Sequence, residues 1–127
     1  MAALAETLEA SDHGLLECER TLLGTDHAQV GGLLVEAWGL PARIGVAAAL
    51  HHEPAGAPKQ HRVLVGVVHV ASALAHAFGL GADLGGLRRE IHGETAEALG
   101  VTPEIIDAVV SESLEEIESL RDAYTLR

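Results

Sequence analysis

A chain of 127 residues with an apolar fraction of 48% is long enough to bury one core and gives no reason to expect a second domain. Its 8 basic and 19 acidic residues, a formal net charge of -11, repel phosphate backbones and anionic lipid; Trp38, Phe78 and Tyr124 as the only Trp, Phe and Tyr argue against base-stacking platforms for nucleic acid too. Cys18 is the only cysteine, so the chain cannot form an internal disulfide or a cysteine-built zinc site, which fits a reducing cytoplasm.

The opening "MAALAETLEASDHG" carries acids where a secretion signal is apolar. Helical spacing then recurs along the whole chain, while no alternating run is long enough for a strand, so the expected fold is an all-α bundle of five or six helices in one domain. The first helix runs through "LAETLEA" and, after a break at Ser11-Asp12, through "LLECERTLL" to Gly24. Thr25 or Asp26 caps the second, with Gln29 completing a capping box and Val30, Leu33, Leu34 and Trp38 along one side to Gly39. Pro41 suits the first position of a third helix, "PARIGVAAALHH", whose last turn delivers His51 and His52 before the Pro and Gly residues of 54–58.

A fourth helix covers about 60–78. Residues 63–80 approach the length of a membrane span, but His69, Ser72 and His76 interrupt them and no aromatic belt flanks them, so a buried core helix is expected. The glycine-rich connector "GLGADLGG" leads to a short helical piece about Leu87 to Leu99. The last helix has Thr102 as cap, Pro103 in its first turn and an apolar stripe of Ile106, Val110, Ile117 and Leu120. From Glu94 onward nine residues are acidic and two basic, the pattern of a solvated helix face.

Eight histidines are many for this length. His27 opens the second helix and His51 ends the third, so an antiparallel hairpin brings both to one end, with His52 beside them and Asp26 and Glu53 nearby as carboxylates. His27, His51 and His52 are therefore the candidate metal ligands, for a divalent ion such as Fe, Mn, Ni or Zn, set against the commoner case of structural histidines. His69 and His76 stand about 10 Å apart on one helix face, too far to share an ion. A buried His69 bonded to a backbone carbonyl is the simplest account of that residue, and His13, His61, His76 and His92 read as surface or partly buried. Cys18 lies between Glu17 and Glu19, which disfavours a thiolate nucleophile.

"LLECERTLLGTDHAQVGGLLVEAWGLPARIGVAAALHHEPAGAP", followed by "LVGVVHVASALAHAFGLG", resembles the HD-related output domain (HDOD) family. The likeness runs over residues 15–81 through Glu19, Gly24, Asp26-His27, Val30-Gly31, Leu34, Trp38, Leu40-Pro41, Ile44 and His51-His52. It implies an all-helical relative of the HD and HD-GYP phosphohydrolases, of the kind found in bacterial signalling proteins with a regulatory output. By the same resemblance His27, His51 and His52 match metal-binding histidines of the catalytic relatives.

The departures lie in the remaining ligands. No His-Asp doublet precedes Leu15, Asp12-His13 has the reverse order, Ser72 stands near the relatives' aspartate ligand, and "HHEPAGAP" lacks the tyrosine of the GYP signature. A hydroxyl cannot neutralise a pair of dications as a carboxylate does. The resemblance thus implies the C-terminal part of a longer HDOD domain, or a shortened relative whose unpaired helix faces a second copy covers, acting as a non-catalytic signalling module with a protein partner or fused signalling domain and no required cofactor. The residues themselves add the expectations of a homodimer, from the apolar fourth helix, of a cytoplasmic location, and of no nucleic-acid or membrane contact. The alternative the resemblance leaves is an HD-type metal-dependent phosphohydrolase acting on a nucleotide or cyclic dinucleotide, and a small-ligand sensor is a third.

Overall fold

The computed structural model describes residues 14–77 and 91–125. Among them are six α-helices and no strand: α1 (Leu15–Leu23), α2 (His27–Ala37), α3 (Ala42–Leu50), α4 (Arg62–Ala77), α5 (Gly93–Leu99) and α6 (Pro103–Thr125), with 3-10 turns at Pro54–Gly56 and Lys59–His61 between α3 and α4. The expected all-α architecture is what forms. The helical piece at 4–10, His13, Phe78, the connector at 79–86 and residues 87–90 lie outside the described residues.

Local chemistry sets most helix ends. Gly24 leaves α1 at φ 71°, a left-handed value that a side chain would disfavour, and its amide closes on the Arg20 carbonyl. Asp26 caps α2, its Oδ1 accepting from the Gln29 amide at 2.8 Å. Pro41 lies one residue earlier than expected: it is the extended cap of α3, and the helix proper begins at Ala42. α3 also ends sooner, at Leu50, leaving His51 as its cap and His52 in the following turn. α5 starts at Gly93, so Ile91 and His92 are not helical. At α6 the Ile105 amide reaches the Thr102 hydroxyl at 3.4 Å, the expected cap.

The α2–α3 hairpin is close because small residues face each other. A Cβ placed on Gly31 would stand 3.5 Å from the Ala48 Cβ, an ordinary contact, whereas one on Gly32 would stand 3.0 Å from the Ala49 Cβ and 3.4 Å from the Gly45 carbonyl oxygen. Neither neighbour of Gly32 has a rotamer through which to yield. Gly32→Ala is therefore expected to destabilise the fold by about 1–2 kcal/mol, overpacking outweighing the gain in helix propensity. Gly31→Ala is expected to be neutral or to stabilise by up to about 1 kcal/mol. Urea midpoints of the two variants check this ordering.

Beneath the hairpin, Ala47, Ala57 and Val65 form the core, with Val46, Leu50 and Val68 packed around them. α4 is apolar nearly all round, which predicts burial on every side. The structure buries one face, with Val65, His69 and Ala73 inward, and packs α5 against Gly66, where an added Cβ would meet the Leu99 Cδ1 at 3.0 Å. The stripe at Val63 and Val67 is instead exposed. On α6, Ile106, Val110 and Ile117 are half-buried as expected, but Leu120 is exposed. No helix among the described residues is long and apolar enough to cross a membrane.

Candidate metal centre

The hairpin places the start of α2 beside the end of α3, and this juxtaposition assembles the histidines. The His27 ring centroid lies 5.7 Å from that of His51 and 4.9 Å from that of His52, and the latter two are 4.0 Å apart. One nitrogen from each of the three rings lies within 4.8 Å of the others. Bonds of about 2.0–2.1 Å to one ion cannot separate two nitrogens by more than about 4.2 Å, so small ring rotations close the set.

The tautomers follow from the outer partners. His27 Nδ1 is 2.7 Å from Glu19 Oε2, and a carboxylate only accepts, so Nδ1 carries the proton. The same oxygen accepts from the His27 amide at 3.0 Å, which fixes ring and backbone together. The lone pair of neutral His27 is then on Nε2, where His52 Nε2 donates to it across 2.8 Å. His51 Nδ1 donates to the Ala48 carbonyl at 2.8 Å, which places its lone pair on Nε2. A histidine whose far nitrogen is held by a carboxylate or carbonyl is the arrangement that orients imidazoles on metals. The donor set therefore fits a single borderline divalent cation.

Asp26 and Glu53, the carboxylates expected near the histidines, are committed elsewhere. Asp26, 1% exposed, accepts from Arg20 Nε at 2.7 Å as well as from Gln29. Burial alone would push its carboxyl up, but the Gln29 amide, the Arg20 guanidinium and the Ala28 amide together hold it below the usual carboxylate value. Glu53 pairs with Arg20 Nη2 at 3.1 Å. Arg20 thus bridges the two, and both carboxylates hold it above its ordinary value.

Sequence reasoning did not see what Glu19 does. It stood in the family-like pattern and beside Cys18, and its spacing of eight from His27 across a turn was the available signal. His69 is buried as expected: Nδ1 donates to the His51 carbonyl at 2.8 Å, and Nε2 accepts the His92 amide at 3.0 Å. It ties the turn that carries the histidine pair to the entry of α5. Cys18 is buried in α1. His61 and His76 are partly buried and His92 is exposed, all away from the triad's mutual contacts.

The fold is all-helical among the described residues, and its α2–α3 hairpin gathers three histidines at one end. Residues 1–54 match the HDOD domain, a stretch that holds α1 to α3 and His27, His51 and His52, and that ends before α4. The match agrees with the family likeness of the sequence, while the likeness over residues 55–81 lies beyond it. No curated protein and no solved structure matches the chain.

Proposed function

We propose that this chain is a regulatory output module of the HDOD kind, working through protein contacts in the cytoplasm as a homodimer, and that His27, His51 and His52 hold one divalent cation as a structural clamp. Bound there, the ion would supply a cross-link between the start of α2 and the end of α3, in place of the hydrogen bond that joins His27 and His52. The observation that carries the reading is the engagement of the carboxylates around the cluster: Glu19 holds the His27 ring, Asp26 caps α2, and both Asp26 and Glu53 bind Arg20. Two hydrolytic metals are usually joined by carboxylates. Among the described residues only the three imidazoles group as candidate ligands.

Protein contact is further supported by exposed apolar residues on α2 and at its end, where Leu33 and the capping Trp38 are 65% and 69% exposed. Uncovered apolar patches of this kind mark interaction surfaces. The test is turnover: with Mn2+, Fe2+ or Ni2+ added, the purified protein is expected to hydrolyse neither a generic phosphodiester nor a cyclic dinucleotide above the metal-only rate. Hydrolysis that disappears in His27→Ala and His52→Ala would make the chain a phosphohydrolase.

A further inference from the structure

α4 and α6 enclose an open cleft of about 570 Å³. One wall is Val63, Val67, Val70 and Leu74, at positions i, i+4, i+7 and i+11 of α4, and hence a single stripe. Ile105 and Val109 of α6 form the opposite wall, with Leu99 and Val101 between, and Ser113 is the one hydroxyl residue in the lining. Val63 and Val67 are 68% and 51% exposed, so the cleft opens to solvent along α4. Its dimensions and aliphatic lining suit the apolar face of a helix.

Register along α6 adds a charge condition. The helical row that begins Ile105 and Val109 continues at Glu112 and Glu116, both exposed, so the wall turns from aliphatic to acidic within one turn. Among the described residues, the α4 stripe across the cleft carries no compensating base, and Arg62 lies at the other end beside Glu94 in an adjoining hollow that shares Val63 and Leu99. A chain of net charge -11 makes the same selection at longer range.

We infer that the α4–α6 cleft is a docking site for an amphipathic helix of a protein partner, one whose aliphatic anchors are followed by Lys or Arg residues that meet Glu112 and Glu116. The inference rests on the reading of the chain as a protein-contact module and names the partner's chemistry. An aliphatic anchor at each of two successive turns fills the valine-lined stretch, and bases one turn further on neutralise the carboxylates. A second copy of this chain suits the cleft poorly, since its one long amphipathic helix among the described residues, α6, is itself acidic.

The experiment is fluorescence anisotropy with a labelled Leu/Lys peptide patterned as an amphipathic helix, against a scrambled peptide of the same composition. Saturable binding is expected for the patterned peptide only, weakening about tenfold between low and high salt as screening removes the carboxylate contribution. Val67→Glu is expected to weaken it at least about tenfold by placing a charge in the apolar wall. Glu36→Gln, exposed on α2 and outside the cleft, is expected to leave it unchanged. Glu112→Lys with Glu116→Lys changes only exposed side chains and keeps the test valid should Val67→Glu fail to fold; it should abolish the salt dependence and most of the affinity. Equal binding of the scrambled peptide, or indifference to both sets of variants, overturns the inference. So does a dimer that Val67→Glu dissociates while no peptide binds, which would give the cleft to a second copy. None of these results bears on phosphodiester turnover, so the two readings fail separately.

Discussion

Zn2+ or Ni2+ at about a hundred times its dissociation constant is expected to stabilise the folded protein by about 2.7 kcal/mol, seen as a rise in Tm of about 10 °C. The expectation comes from linkage: three imidazoles lie together only in the folded hairpin, so an ion that needs all three binds that state alone. His52→Ala and His27→Ala should each lose the whole shift. Glu19→Gln should keep the ring in place but reduce its basicity, lowering affinity by about 10-fold. Because His52 Nε2 donates to His27 Nε2 before metal arrives, binding through Nε2 moves that proton to Nδ1 without net release; the ligands are neutral imidazoles, so the shift should shrink as acid protonates them. Differential scanning fluorimetry with each metal, repeated at two pH values, measures all of these effects.

Removing the buried Asp26 should cost the most among single substitutions of helix-capping residues. Its Oδ1 satisfies the Gln29 amide, and Oδ2 accepts from Arg20 and from the Gln29 side chain, so Asp26→Ala leaves a helix start uncapped and the Gln29 amide without its partner. A loss of about 2 kcal/mol is expected. Asp26→Asn separates cap from charge, since asparagine caps about as well but cannot pair with Arg20. The Asp26 carboxyl is held below its ordinary value in the folded chain, so the unfolded chain binds the proton more readily as acid is added. Its contribution is thus complete above the ordinary carboxylate range and disappears as pH falls through the lowered folded value. Chemical denaturation across that acid range should show a steep loss for the parent chain and a shallower one for Asp26→Asn.

What the sequence made legible was what neighbouring residues decide. Asp26 with Gln29, Gly24 after α1, and Thr102 before Pro103 are short-range signals, and each marks the helix end that forms. The meeting of His27 with His51 and His52 was also legible, because a hairpin of known helix lengths leaves little freedom in which ends meet. The commitments of Asp26, Glu53 and Glu19 were not, since Arg20 and His27 reach them across turns whose geometry is tertiary. Periodicity likewise gave α4 as apolar all round and could not say which face is covered: Val65 is buried, while Val63, two residues away, is open. His69 was legible as buried, but the His92 amide that it accepts comes from a distant segment.

Anomalous diffraction from crystals of the full chain grown with Mn2+ or Zn2+ counts the cations directly. The account predicts one peak, within bonding reach of His27, His51 and His52, with Glu19 still on the far nitrogen of His27. Two peaks about 3.5–4 Å apart, bridged by an oxygen and sharing a carboxylate, would contradict it.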